Sequence, residues 1–359
     1  MKYKRKIFVI ASGINNGGGM VLFESLVKSL QKYPLRILLD IRLKKKYINL
    51  INQGIGKLVK ISFVHRIILN IKFSKAAKKG DILFSFNSLP PIFKSEAYTI
   101  TYIHSPQFVG LHKNSNYRLK DRIRFLIEIV WLRLTYNNSN ELWVQTSSMK
   151  KLLLKRFQNA KVKVVPFIDD KLHKICMSKN KDKINFTNDD KYFFYPAGLA
   201  GHKNHKILIE AFKKLDSINK SAKLIITIPE LDFKKLANNK ISSNIINLKE
   251  VKRDKVLSIM ESSSALIFPS KAETFGIPLV EATALGIPVL SANLDYIDDV
   301  CVPYSKFDPY SSDSIVESVL DFLENGEQEL TNKSFYQQRQ TILKNLLSSD
   351  EFVTKLYTI

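Results

Sequence analysis

The chain has 359 residues, 45% hydrophobic and 25% charged, with 56 Lys and Arg against 33 Asp and Glu and a formal net charge of +23. Single cores usually stop growing beyond roughly 250 residues, so about two domains are expected, and a composition without long biased tracts excludes a disordered chain. No apolar stretch approaches the ~20 residues of a spanning helix, which leaves only peripheral membrane contact. The two cysteines, Cys176 and Cys301, match no metal or redox spacing and read as plain thiols of a reducing compartment.

The charge excess is confined to one half. Residues 1–170 hold 31 Lys and Arg against 9 Asp and Glu, whereas residues 171–359 hold 25 against 24. A general lysine bias would tilt both halves alike, so the first half is expected to face something anionic: nucleic acid, lipid headgroups or a phosphorylated carrier lipid.

In chain order, Ile7–Ala11 is too short for a signal-peptide core and reads as a first strand. The following Ser12-Gly-Ile-Asn-Asn-Gly-Gly-Gly-Met20 leads into a helix over Met20–Lys32. Gly17, Gly18 and Gly19 let backbone approach a phosphate or sugar at a helix N-terminus, although a glycine triplet alone lacks the full dinucleotide fingerprint. Strands follow at Arg36–Leu39, Ile82–Phe86 and Tyr98–Ile103. His104, in Tyr-Ile-His-Ser-Pro, ends the last of these and is either a ligand contact at a strand end or a buried structural histidine. A basic helix over Tyr117–Tyr136 mixes Arg118, Lys120, Arg122 and Arg124 with Trp131 and aliphatic residues, a pattern that suits docking on anionic headgroups and equally suits a helix packed on the sheet. Leu142–Gln145, a helix over Ser147–Phe157 and Val162–Val165 complete this half. Continuous Val/Ile/Leu/Phe strands separated by helices indicate parallel strands buried on both faces.

Phe167–Lys191 loses the rhythm and fills with Lys, Asn and Asp, as a linker does. The alternation restarts with strands at Tyr192–Pro196, Leu224–Ile228, Ile245–Leu248, Ala265–Phe268 and Pro288–Ser291, and helices at Lys203–Leu215, Lys252–Glu261, Ile277–Leu285 and Ser312–Glu324. Two consecutive doubly wound domains place ligands at the carboxyl ends of their sheets. His202 and His205, at a helix start, read as surface or capping residues.

The sharpest signal is Phe268-Pro-Ser-Lys-Ala-Glu-Thr-Phe-Gly-Ile-Pro-Leu-Val-Glu-Ala-Thr-Ala-Leu-Gly-Ile-Pro-Val289, which follows a strand and carries Glu273 and Glu281 eight positions apart. The backbone N–H groups of Phe275, Gly276 and Ile277 would form an anion site at the helix start, and carboxylates suit sugar and ribose hydroxyls as acceptors. First-turn acids that merely complement the helix dipole are the plain alternative.

This segment resembles the Glu-x7-Glu motif of family 4 (group 1) glycosyltransferases, retaining enzymes whose GT-B fold sets two Rossmann-like domains about a central cleft. The resemblance implies that Glu273 contacts the transferred sugar and Glu281 the nucleotide ribose. Tyr195-Pro-Ala-Gly-Leu-Ala-Gly-His-Lys-Asn-His205 looks like the family's diphosphate loop, which assigns Gly198 and Lys203 to the donor phosphates. Many members carry an Arg where Leu199 stands here, so the second cation is missing or comes from elsewhere. By the same resemblance the Gly17–Gly19 loop lies near the donor phosphates, and His104 contacts the donor sugar.

The expected architecture is therefore α/β: residues 1–170 a basic acceptor-side domain, 171–345 a nucleotide-sugar-binding domain, and 346–359 a helical segment placed to pack back on the first. The expected activity is transfer of a sugar, with retention, from a UDP- or GDP-sugar to a glycan or polyprenyl-pyrophosphate-linked saccharide. Such an enzyme would act in bacterial surface polysaccharide synthesis, in the cytoplasm at the inner face of an anionic membrane. Neither a metal nor a further cofactor is expected, nor a nucleic-acid partner. The alternatives are a sugar-nucleotide epimerase or hydrolase on the same fold, and a nucleic-acid-binding protein that uses the basic half.

Overall fold

The computed structural model describes residues 5–15, 17–110, 119–177, 190–330 and 333–359. The chain divides into two compact units, the first built from residues 1–111, 117–173 and 346–359 and the second from 174–345.

The first unit carries strands β1 (Ile7–Ala11), β2 (Leu35–Asp40), β3 (Gly56–Val59), β4 (Ile82–Ser85), β5 (Tyr98–Ile103), β6 (Glu141–Val144) and β7 (Val162–Val164). They form one sheet in the order β3-β2-β1-β4-β5-β6-β7, and every pairing is parallel. Helices α1 (Gly17–Leu30), α2 (Ile48–Asn52), α3 (Phe63–Ala76), α4 (Leu119–Thr135) and α5 (Ser147–Arg156) supply the crossovers. All residues of β1, β4 and β6 are buried, the pattern of strands covered on both faces. The short strand β8 (Phe167–Ile168) and helix α6 (Asp170–Met177) follow.

The second unit has β9 (Lys191–Tyr195), α7 (His205–Ile218), β10 (Ala222–Ile226), α8 (Glu230–Leu236), β11 (Ile245–Asn247), α9 (Arg253–Glu261) and β12 (Ala265–Phe268). These lead to α10 (Ile277–Leu285), β13 (Val289–Ala292), β14 (Ser305–Phe307), α11 (Ser312–Leu330) and α12 (Lys333–Lys344). Its parallel sheet runs β11-β10-β9-β12-β13-β14. In each sheet the strand order reverses beside the first strand, between β1 and β4 and between β9 and β12. That is the topological switch point where loops diverge and leave a crevice for a ligand.

The chain then returns to the first unit through β15 (Leu347–Ser348), paired with β8, and α13 (Ser349–Tyr357). Ser348 caps α13 in a reciprocal box with Glu351. Phe352, fully buried, sits among Phe84, Tyr102, Trp143 and Phe167 with ring centroids 4.3–5.8 Å away. Truncating such a residue to alanine costs ~3–5 kcal/mol, so a C-terminal helix helps hold the N-terminal core.

Where expected and observed elements differ, exposure explains it. β3 and β14 were not foreseen because both are short edge strands, half open to solvent, with no continuous apolar run. Helix α3 was missed as well: Phe63, Val64 and Ile68 are exposed while Asn70 and Ser74 are buried, so its pattern inverts the usual amphipathic signal. The stretch read as a linker contains β8 and α6, whose burial depends on distant residues such as Phe352.

Candidate functional site

In the second unit two loops meet at the carboxyl ends of β9 and β12. Tyr195, wholly buried at the end of β9, donates its hydroxyl to Lys203 O at 2.8 Å. Asn204 adopts a left-handed φ of 61°, and its side-chain amide donates to Pro269 O at 3.1 Å and Pro309 O at 2.6 Å. Lys271 N donates to His202 O at 2.8 Å. Together these bonds tie the loop of residues 196–204 to that of residues 269–276.

The consequence is that Lys203 and Glu273, 70 positions apart in sequence, form an ion pair with side chains only 20% and 13% exposed. Ser270 Oγ also donates to Glu273 Oε1, at 2.7 Å, and Tyr296 Oη holds Ser270 O at 2.8 Å. The Lys203 ammonium stands 5.9 Å over the Phe268 ring. A carboxylate and an ammonium with part of their bonding capacity still open are suited to exchange partners with hydroxyls and phosphate oxygens.

Beside this pair, Gly276 opens α10 with φ 66°, and a Cβ there would lie 2.7 Å from Leu279 Cδ1. The left-handed φ favours glycine, and a Cβ there would also press on the Leu279 side chain. No side chain caps α10, and Pro278 occupies its first turn, so the positive end of the helix at Phe275, Gly276 and Ile277 is not neutralised from within. Phe275 and Gly276 are buried and Ile277 is half-buried, while Gly198 is exposed with open space around its α-carbon.

Glu281 departs from expectation. Rather than facing an open site, it is fully buried in α10, and its carboxylate pairs with Arg253 at the start of α9. Arg253 is the residue that sequence reasoning missed. It follows a strand-end loop in Val251-Lys-Arg-Asp254, which was the available signal, but nothing in the sequence links it to Glu281. Leu199, where the resemblance led to the expectation of an Arg, is exposed. His205 is also corrected: it is buried, its Nε2 bonds Ala197 O at 3.0 Å, and burial pushes its pKa down to about 4. Burial likewise lowers the His202 pKa.

In the first unit, Gly17, Gly18 and Gly19 form the first turn of α1, again with no acidic residue there. Gly19 and His104 are brought together, for a Cβ on Gly19 would lie 3.0 Å from His104 Cε1. His104 stacks on Phe86 at 4.8 Å, and its Nε2 lies 2.7 Å from Phe86 O. That carbonyl can only accept, so Nε2 carries the proton and Nδ1 is the acceptor nitrogen. Burial pushes the imidazole down to about 4, which keeps it neutral near pH 7.

The basic helix is sorted by its own periodicity. Arg122 and Arg124 are exposed on α4, while Arg118 lies outside the described residues, as does the Lys120 side chain. Trp131 is a correction: it is 8% exposed, packs with Leu132, Phe108 and Val109, and donates Nε1–H to Pro90 O at 2.9 Å, so it serves the core and not a docking surface. Among the described residues no helix is long and apolar enough to cross a membrane.

Residues 176–339 match the family model described as glycosyl transferases group 1. An uncharacterized glycosyltransferase of Methanocaldococcus jannaschii is 23% identical over 321 residues, 86% of each chain. The lipopolysaccharide 1,2-N-acetylglucosaminetransferase of Salmonella typhimurium is 22% identical over 201 residues, 51% of this chain and 53% of that one. Among solved structures, a variant of S. aureus TarM in complex with fondaparinux, alpha-GlcNAc-glycerol and UDP superposes with a TM-score of 0.70 at 12% identity, covering 99% of this chain and 100% of that one. Anabaena HepE in complex with UDP and glucose gives 0.69 at 14% identity over 98% of both chains. Neither the epimerase nor the nucleic-acid alternative is favoured by these matches. The chain is thus a glycosyltransferase of GT-B fold, and the group 1 glycosyl transferase signature lies in its second unit.

Proposed function

We propose that the protein transfers a sugar with retention from a UDP- or GDP-sugar, in the manner of family 4 enzymes, to a hydroxyl of a glycan or polyprenyl-pyrophosphate-linked saccharide. The bond between the sugar anomeric carbon and the diphosphate oxygen breaks, a new bond to the acceptor oxygen forms on the same face, and the hydroxyl proton passes to the departing diphosphate. Lys203, Gly198 and the amides of Phe275, Gly276 and Ile277 stabilise charge that grows on the diphosphate, usually the largest catalytic term. Glu273 orients the sugar. Glu281 receives the ribose hydroxyls, and Arg253 yields its place on that carboxylate and supplies the cation that Leu199 cannot. For the first unit, His104 is assigned to the donor sugar and Gly17–Gly19 to the donor phosphates.

The observation that carries this reading is the Lys203–Glu273 pair, tethered by Ser270 beside the uncapped start of α10. It is an anion site next to an acceptor of hydroxyl bonds, which is what a sugar diphosphate needs. A role in bacterial surface polysaccharide assembly at the inner membrane face is supported by the Salmonella relative and by the basic first half. Incubating the protein with a panel of UDP-, GDP- and dTDP-sugars and following slow donor hydrolysis tests the assignment. Hydrolysis of one donor class, lost in Lys203→Ala, is expected; binding of none refutes it.

A further inference from the structure

Beyond the ladder of β4 and β5 the chain makes an unusual turn. Ser85, the last residue of β4, pairs with Thr101 of β5; carried three residues further, the same register sets Ser88 opposite His104. The backbone does not reach that point as a strand. Phe86 N and Asn87 N both donate to Ile10 O, at 2.9 and 3.2 Å, and Leu89 N turns back to Asn87 Oδ1 at 3.4 Å. Between them Ser88 is held at φ 64° with no exposed surface. A side chain is disfavoured in this left-handed region, and the residues that tolerate it best are Gly, Asn and Asp. Asn204, Asn238 and Asn239 follow that preference and Lys249 lies on the surface, whereas Ser88 is a buried serine.

The serine hydroxyl closes what the backbone leaves open. Ser88 Oγ accepts from His104 N at 3.1 Å and lies 3.5 Å from Ser105 Oγ. In a continued ladder a strand carbonyl would take the His104 N–H, and a glycine would make the turn without strain but bring no acceptor. The bond fixes the backbone of a residue whose ring is already confined. His104 Nε2 is 2.7 Å from Phe86 O, the ring stacks on Phe86 with centroids 4.8 Å apart, and a Cβ on Gly19 would lie 3.0 Å from Cε1. The end of β4 thus grips His104 at its backbone and at its imidazole.

We infer that Ser88 is a positioning residue for His104, kept in a strained left-handed turn because its hydroxyl sets the backbone from which the imidazole reaches the reacting sugar. Strain of this kind persists where the surrounding structure over-determines it, and it clusters at sites that need a fixed geometry. The turn lies at the topological switch point between β1 and β4, where a ligand crevice opens. As a hold on His104 the inference stands on this geometry; its effect on turnover rests on the assignment of His104 to the donor sugar above.

The test compares Ser88→Gly with Ser88→Ala in the full chain. Both remove the hydroxyl, but only glycine relieves the turn, so the urea midpoint of Ser88→Gly should lie above that of Ser88→Ala. Hydrolysis across the UDP-, GDP- and dTDP-sugar panel should nevertheless fall in kcat by about tenfold in both, with UDP affinity unchanged because UDP carries no sugar. His104→Ala identifies the His104 Cε1–H signal in the proton NMR spectrum, and that signal, shifted by the stacked Phe86 ring, should move in both Ser88 variants. If it keeps its wild-type position in both, Ser88 does not hold His104. If turnover follows stability, near wild type in Ser88→Gly and low in Ser88→Ala, the serine serves the turn alone. Either result overturns the proposal. Wild-type hydrolysis by His104→Ala would instead sink the sugar assignment of His104, as would a wild-type protein that hydrolyses no donor; a moved His104 signal in the Ser88 variants then leaves the hold on the imidazole standing.

Discussion

Lys203→Ala removes the ammonium that faces Glu273 and leaves that carboxylate, 13% exposed, with the Ser270 hydroxyl. Breaking a buried pair costs ~3–5 kcal/mol, whereas an exposed pair is worth ~0–1 kcal/mol. With one hydrogen bond retained and some access to water, a loss of ~2 kcal/mol in stability is expected here. The double variant Lys203→Ala with Glu273→Gln should recover most of it, because the stranded charge is then gone. Binding behaves differently. A charge-assisted bond to phosphate is worth ~1.5–3 kcal/mol, but Lys203 must first release Glu273, so the net loss for UDP should fall near the lower end, about tenfold. Uridine, which presents no phosphate, should bind the variant as it binds the wild type. Paired titrations of UDP and uridine, with urea denaturation of each protein, measure both effects. If Lys203→Ala weakens uridine as much as UDP, Lys203 supports the loop and does not hold the diphosphate, and the reasoning fails.

Three further outcomes are expected. Glu281→Ala should weaken UDP and uridine alike by ~1.5–3 kcal/mol, while Glu273→Ala lowers kcat with little change in UDP affinity; unchanged affinity in the Glu281 variant would remove the ribose assignment. His104 and His205 are held near pKa values of about 4 by burial, against an ordinary 6.5, so below pH 6.5 the unfolded chain gains protons that the folded chain refuses. Stability should be fully present above that pH and decline towards pH 4, by up to a few kcal/mol per group. The urea midpoint should track this fall, His205→Gln should flatten it, and a slope unaltered by that substitution would contradict the cause. At low salt the protein should sediment with anionic but not neutral liposomes, and less so as salt shortens the Debye length from about 10 Å at 0.1 M. Changing Arg118, Lys120, Arg122 and Arg124 to Gln should weaken that binding, and indifference to anionic liposomes, or to the four changes, would exclude docking through α4.

The sequence alone determined the fold class, because two-face burial writes strands such as Ile7–Ala11 and Ala265–Phe268 as uninterrupted apolar runs. It also marked the segment around Glu273 and Gly276, since a left-handed turn into a helix admits few residue types. Edge strands β3 and β14 stayed hidden because half their surface is solvated and their composition is correspondingly mixed. Tertiary structure alone decided the partnerships: Lys203 with Glu273, Arg253 with Glu281, and Gly19 against His104. It likewise turned Trp131 inward beside Pro90 while leaving Ile123 and Ile127 exposed. Local propensity and periodicity record which way a residue faces its own element. Which charge meets which across tens of residues depends on how loops from different strands converge, and that convergence exists only once the sheet has formed.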